Sequence, residues 1–207
     1  MKERIIMKFA KFISIVAHPL FMPIYGILLL FQFHPALDIV VPEPVKSIVY
    51  SIIVLFTLIL PLITTLVMKK LKVINSYYMD TTEERKWPLL FTVLWYFLAT
   101  EILLKLQLPP SIYLLMIGAI TVVVCGLLIT MRWKISIHML GIGGLTGAII
   151  AVSQRFDLNL VLLVSVLFVV AGAIGYARLK TNSHNSNQVY VGFALGILIE
   201  WLTVYFF

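Results

Sequence analysis

Long runs of Leu, Ile, Val and Phe alternate along the chain with short polar or proline-rich breaks. Seven apolar segments result, at roughly 12–32, 47–68, 88–106, 111–131, 138–153, 158–177 and 188–207. A helix needs about 20 mostly apolar residues to cross the ~30 Å hydrocarbon slab. Each segment meets or approaches that length, and the fifth is the shortest. The breaks fall at Pro42-Glu43-Pro44, 69–87, Leu108-Pro109-Pro110, 132–134, 154–157 and 180–187. Helices are expected because backbone groups left unpaired in lipid are too costly. The pattern predicts an all-α bundle of about seven spans, with residues 1–207 forming one integral membrane domain. His18-Pro19 and Pro23 predict a kink or break in the first span, and His34-Pro35 a loop on the opposite face.

Composition agrees with this pattern. Of 207 residues, 61% are hydrophobic and 12% charged, against roughly 25% charged in soluble domains. A soluble domain of this size cannot bury that much apolar surface. Cys125 is the single cysteine and lies in an apolar run, which excludes a disulfide scaffold and suggests a small packing residue. The basic start, Met1-Lys2-Glu3-Arg4, precedes an apolar run with no small-residue cleavage site after it, so that run reads as a retained span.

The net charge of +7 would suggest nucleic acid in a soluble protein. Here it is better explained by topology, and no nucleic-acid partner is expected. With seven spans, one face receives 13 of the Lys and Arg residues and the other receives Lys46, Lys105 and Arg155. The positive-inside rule then places the N-terminus and the basic face in the cytoplasm.

Polar chemistry gathers on that same face in three clusters. The first runs from Asp80 to Pro88 and contains Arg85. The second is Lys134-Ile135-Ser136-Ile137-His138. The third runs from Arg178 to Gln188 and contains His184. His184 and Gln188 are one helical turn apart and share a face if the last span starts there. Asn185, Ser186 and Asn187 are candidate caps, and a helix N-terminus favours an anion beside it.

The third cluster resembles a signature of the type 2 phosphatidic acid phosphatase superfamily, S-R-x5-H-x3-D. This chain reads Ala177-Arg178, five residues, His184, three residues, Gln188. Val189-Tyr190-Val191-Gly192 resembles the continuation of that signature. Ser136 and His138 match two positions of the P-S-G-H signature. The K-x6-R-P signature is represented by Arg85, with Pro88 three residues on and Tyr78 in the lysine's place. The resemblance covers roughly 80–200. Two departures stand out. Seven spans exceed the usual six-helix core, and Gln188 replaces Asp, as in the glucose-6-phosphatase branch.

The resemblance implies a membrane phosphatase in a bacterial cytoplasmic membrane. Its substrate would be a lipid-linked or other phosphate monoester or pyrophosphate. His184 would attack phosphorus and form a phosphohistidine. His138 would protonate the leaving oxygen and later activate water. Gln188 would orient His184, while Arg178, Arg85 and Ser136 would hold phosphate oxygens. No metal or cofactor is implied. The rival reading is a catalytically degenerate protein of the same fold that binds or transports lipid phosphates, and a small transporter is a third.

Other features carry no role in the signatures. Gly143–Gly147 and Gly192–Gly196 are GxxxG pairs, which predict close helix approach. They lie in the spans that carry His138 and His184. Glu101 and Glu200 fall inside spans, where a carboxylate must be paired, protonated or near a helix end. His18 stands near the cytoplasmic third of the first span with no role assigned by the motif.

Overall fold

The computed structural model describes residues 2–77 and 81–207, without the side chains of Lys2, Glu3 and Ile5. Tyr78 and Asp80 lie outside the described residues. The helices are α1 (Lys2–Val16), α2 (Met22–Phe33), α3 (Pro35–Val40), α4 (Glu43–Val54), α5 (Leu60–Lys70), α6 (Thr82–Lys105), α7 (Pro110–Thr130), α8 (Ile137–Arg155), α9 (Val161–Lys180) and α10 (Ser186–Phe206). Among the described residues all regular structure is helical. Seven stretches are long and apolar enough to cross a membrane: Ile6–Phe33, Glu43–Lys70 and each of α6 to α10. The chain is a polytopic membrane protein.

The breaks follow local chemistry. α1 stops at Val16, and a 3-10 turn, Pro19–Phe21, leads into α2. The expected break in the first span is therefore present. His18 caps that turn by accepting the Leu20 N–H on Nδ1 at 3.4 Å. In the second span a π turn, Leu55–Ile59, joins α4 to α5. Pro61 follows it; a proline ring clashes with the carbonyl four residues earlier, and widening the ladder relieves that clash.

The 34–41 segment differs from the loop expected there. His34 caps α3, its Nδ1 accepting the Leu37 N–H at 3.3 Å. Proline in the first turn explains the helix, because its missing N–H is an orphan there anyway. On the opposite face, Asn182 ends α9 with a left-handed backbone, φ 51°, a conformation that Asn tolerates.

α8 is the centre of the bundle. Within its most apolar window 67% is buried, against 22–44% for the other spans. α10, α9, α7 and α2 surround it. Lipid tails are as apolar as leucine, so helices associate by close packing rather than by hydrophobic exclusion. The two GxxxG pairs provide that packing. A Cβ added to Gly143 would overlap the Phe193 carbonyl, one on Gly147 the Ile197 carbonyl, and one on Gly196 the Leu140 carbonyl. α8 and α10 thus touch backbone to backbone.

Candidate functional site

The start of α8 and the start of α10 are joined directly. The Ser136 N–H donates to the Gln188 carbonyl at 3.3 Å. The Ser136 hydroxyl caps α8 by accepting from the Met139 N–H. Ser136 is fully buried and stands behind the cavity wall, where it positions α8. This junction, with the glycine contacts below it, sets His138 and His184 on one wall.

His138 is fixed from two sides. Its Nε2 lies 3.1 Å from the Ser14 carbonyl. A carbonyl only accepts, so Nε2 carries the proton and Nδ1 keeps its lone pair. The His18 ring stands edge-on to His138 with centroids 5.5 Å apart. Arg178, His18 and His184 are the titratable neighbours that surround His138.

Arg178 is held by the same serine. One guanidinium NH2 donates to the Ser14 hydroxyl, which in turn donates to the Ala10 carbonyl at 2.7 Å. Ser14 therefore fixes His138 through its carbonyl and Arg178 through its side chain. The Arg178 Nε is buried and has no hydrogen-bond partner among the described residues. A buried donor without an acceptor is unfavourable, and the Arg178 side chain to which it belongs lines the adjoining cavity.

His184 and Gln188 form an ordered unit. Asn185 caps α10 by accepting the Gln188 N–H at 3.0 Å, and the Asn185 N–H donates back to Gln188 Oε1 at 3.2 Å. That reciprocal capping box fixes the orientation of the amide. The same Oε1 lies 3.0 Å from His184 Nδ1. An amide oxygen can only accept, so Nδ1 is the protonated nitrogen and Nε2 retains its lone pair. Burial pushes the His184 pKa down to about 4; the charges of Arg85 and Lys134 act in the same direction, and the hydrogen bonds to Gln188 and to the Lys134 backbone oppose them. His184 is therefore a neutral imidazole at neutral pH.

These groups border one cavity of about 1150 Å³. His18, His138, Arg178, His184, Arg85 and Lys134 line its polar end. Gln188 stands behind His184, outside the lining. Four of the six residues indicated by the sequence thus share a cavity, and the other two support its wall. The family signatures include none of Ser14, His18 and Lys134, although Lys134 opens the second polar cluster. The His18-Pro19 break was the available signal for His18: a polar residue at an interrupted span commonly lines a cavity. Ser14 carried no signal, because a serine in a span usually bonds its own helix.

The arrangement is suited to an anion. Lys11, Arg85, Lys134 and Arg178 line the cavity, and Glu200 is the one carboxylic residue that does so among the described residues. Within that same set, no three His, Cys, Asp or Glu side chains come together as metal ligands. Glu101, the other carboxyl inside a span, is half-buried and not part of the lining. Comparison with family profiles, curated proteins and solved structures finds no match for the chain.

Proposed function

We propose that the chain is a membrane phosphatase of the type 2 phosphatidic acid phosphatase kind, acting on a phosphate ester of an amphipathic alcohol. The convergence of His138, Arg178 and His184 on one cationic cavity carries this reading. Arg178, which lines the cavity, would hold phosphate oxygens with its guanidinium, and Arg85 would add positive charge as negative charge accumulates on the equatorial oxygens. The Nε2 lone pair of His184 would attack phosphorus as the P–O ester bond breaks. His138, with its Nε2–H held by the Ser14 carbonyl, would take a proton on Nδ1 from the monoanionic phosphate ester and pass it to the leaving alkoxide. In the second step it would take a proton from water as the hydroxide displaces His184 from phosphorus.

A second reading is favoured by one observation. Gln188 is neutral and cannot stabilise an imidazolium as a carboxylate would. A protein of the same fold that only binds phosphate would show the same pocket. Release of inorganic phosphate by the purified protein, over a panel of lipid and soluble phosphate esters, separates the two. Activity lost in His184→Ala, together with a phosphorylated protein trapped by acid quench, supports the enzyme. Binding without turnover on any ester supports the second reading.

The 13-to-3 division of basic residues supports a cavity mouth that faces the cytoplasm, in a bacterial inner membrane on this reading. A reporter fused after Phe207 would then be active only outside the cytoplasm.

A further inference from the structure

Two of the histidines, His18 and His34, precede a proline, and the fold uses both pairs in the same way. Each stands before a helical turn that opens with proline. Each accepts a backbone N–H on Nδ1, His18 from Leu20 at 3.4 Å and His34 from Leu37 at 3.3 Å. A backbone N–H only donates, so Nδ1 carries the lone pair and Nε2 carries the proton of the neutral ring. The two rings differ in where that donor stands. His34 is buried against the Phe156 ring, with centroids 4.3 Å apart, and is not part of the cavity lining. His18 lines the polar end of the cavity, edge-on to His138.

Capping alone does not account for a histidine at position 18. A cap needs one acceptor, and Asn, Asp, Ser and Thr supply it better. The cap bond of 3.4 Å is also long for an N–H donor. The second ring nitrogen is then left over: the His18 Nε2–H makes no hydrogen bond among the described residues.

Its surroundings call for an acceptor from outside the protein. Arg178 is the charged neighbour of His18. Ser14, four residues before His18, already holds the His138 Nε2–H through its carbonyl and one Arg178 NH2 through its hydroxyl. Glu200, the one carboxylic residue in the lining, lies beside Gly144, well over one turn further along α8 than His138. The end of α1 therefore brings two things to the polar end of the cavity. Ser14 clamps Arg178 and His138, and His18 adds an unspent donor beside them.

We infer that His18 is a phosphate-binding residue, its Nε2–H donating to a non-bridging oxygen of the phosphoryl group that Arg178 holds. A neutral donor of this kind fixes orientation without adding charge to an already cationic site. It also makes the first span part of the site. This inference rests on the reading of the polar end as a phosphate site.

The two ring nitrogens can be tested apart. An Asn side chain reaches about as far as Nδ1 and can keep the cap, whereas a Gln side chain carries an amide N–H about as far as Nε2. The test is titration of the full-length protein in nanodiscs with inorganic phosphate, alongside its thermal midpoint, so it does not depend on turnover. His18→Asn should keep the midpoint and weaken phosphate about 10–100-fold, the loss expected for a hydrogen bond to a charged group. His18→Gln should keep most of the affinity and melt about 2–4 °C lower, because the cap is lost. His34→Asn is the control for the same cap away from the cavity, and should leave phosphate affinity unchanged. Wild-type affinity in His18→Asn, an equal loss in His18→Gln, or an equal loss in His34→Asn would overturn the inference. Arg178→Ala is the arm for the phosphate site itself. If it weakens phosphate while His18→Asn does not, this inference alone fails. If it has no effect, or if the wild-type protein does not bind phosphate, the phosphate reading fails and this one with it.

Discussion

The glycine contact between α8 and α10 gives the most quantitative expectation. Gly196→Ala places a methyl group against the Leu140 carbonyl, with the Gly144 nitrogen also 2.7 Å away. Those neighbours are backbone atoms, so no side-chain rotation can relieve the overlap. The helices must separate. Overpacking of this kind costs about 1–3 kcal/mol, and rigid neighbours argue for the upper end. Gly172 in α9 is the matched control, since an added Cβ there meets nothing within 4 Å. Gly172→Ala should gain about 0.5–1 kcal/mol from reduced chain entropy in a helix. At about 2–4 °C per kcal/mol for a protein of this size, Gly196→Ala should melt roughly 4–12 °C lower in detergent. Gly172→Ala should melt a few degrees higher. Separation would also move His184 away from His138, so Gly196→Ala should lose ligand binding at temperatures where it is still folded. Equal midpoints for the two alanine variants would refute the account of the helix contact. Retained binding in a destabilised Gly196→Ala would refute its link to the site.

Other expectations follow from single contacts. Ser14→Ala removes the hydroxyl that holds Arg178 but keeps the carbonyl that holds His138. Phosphate affinity should fall about 5–20-fold, read by titration with a phosphate-bearing lipid, and unchanged affinity would show that Ser14 does not position Arg178. His184 is held down to about 4 by burial, with Arg85 and Lys134 nearby, so it stays neutral as pH falls through the ordinary histidine range. Phosphohistidine formation, measured by acid quench, should therefore persist below pH 6 and be lost only as pH nears about 4; loss with a midpoint near the ordinary histidine value would contradict the burial argument. Asn185→Ala removes the cap of α10 and one arm of the capping box. It should cost about 1 kcal/mol, seen as a lower thermal midpoint, and should slow phosphorylation of His184 by freeing Gln188.

The spans were legible because the bilayer imposes one period and one length on every crossing. Boundaries shifted where local backbone chemistry overrides hydropathy: the second span extends to Glu43–Lys70 with proline in its first turn, and α9 begins at Val161 rather than near 158, after the left-handed Asp157. The GxxxG pairs announced a close contact, and the structure places both in it. Arg178, His138 and His184 could be chosen because their spacing on one membrane face resembles a chemical pattern. Ser14 could not, because it joins the site through a tertiary contact between α1 and α9 that leaves no local trace, and His18 was marked only by the break at Pro19. Ser136 shows the reverse case. Its place in a motif suggested a ligand contact, whereas a serine preceding a helix is first a cap.

The basic residues serve two purposes, and the cavity separates them. Lys11, Arg85, Lys134 and Arg178 line it, which leaves nine basic residues on the same face outside the lining. Lys86 pairs with Glu83 at 2.6 Å, and Lys69 lies over the Tyr77 ring at 4.3 Å, so both are engaged at the surface. On the far face, Lys46 is buried between Asp38 and Glu43. Arg155 donates to the Val204 carbonyl at 2.7 Å and so completes the end of α10. Two of the three far-face cations thus have structural partners, which sharpens the charge asymmetry on which the proposed orientation rests. Neutralising Lys69, Lys70 and Lys72 together should therefore disturb orientation in a reporter fusion while the correctly inserted fraction still binds phosphate. Neutralising Arg85, Lys134 and Arg178 should do the opposite, with binding abolished and orientation kept. If the second set also inverts the reporter, the cavity arginines are topology determinants first, and the chemical assignment loses its main support.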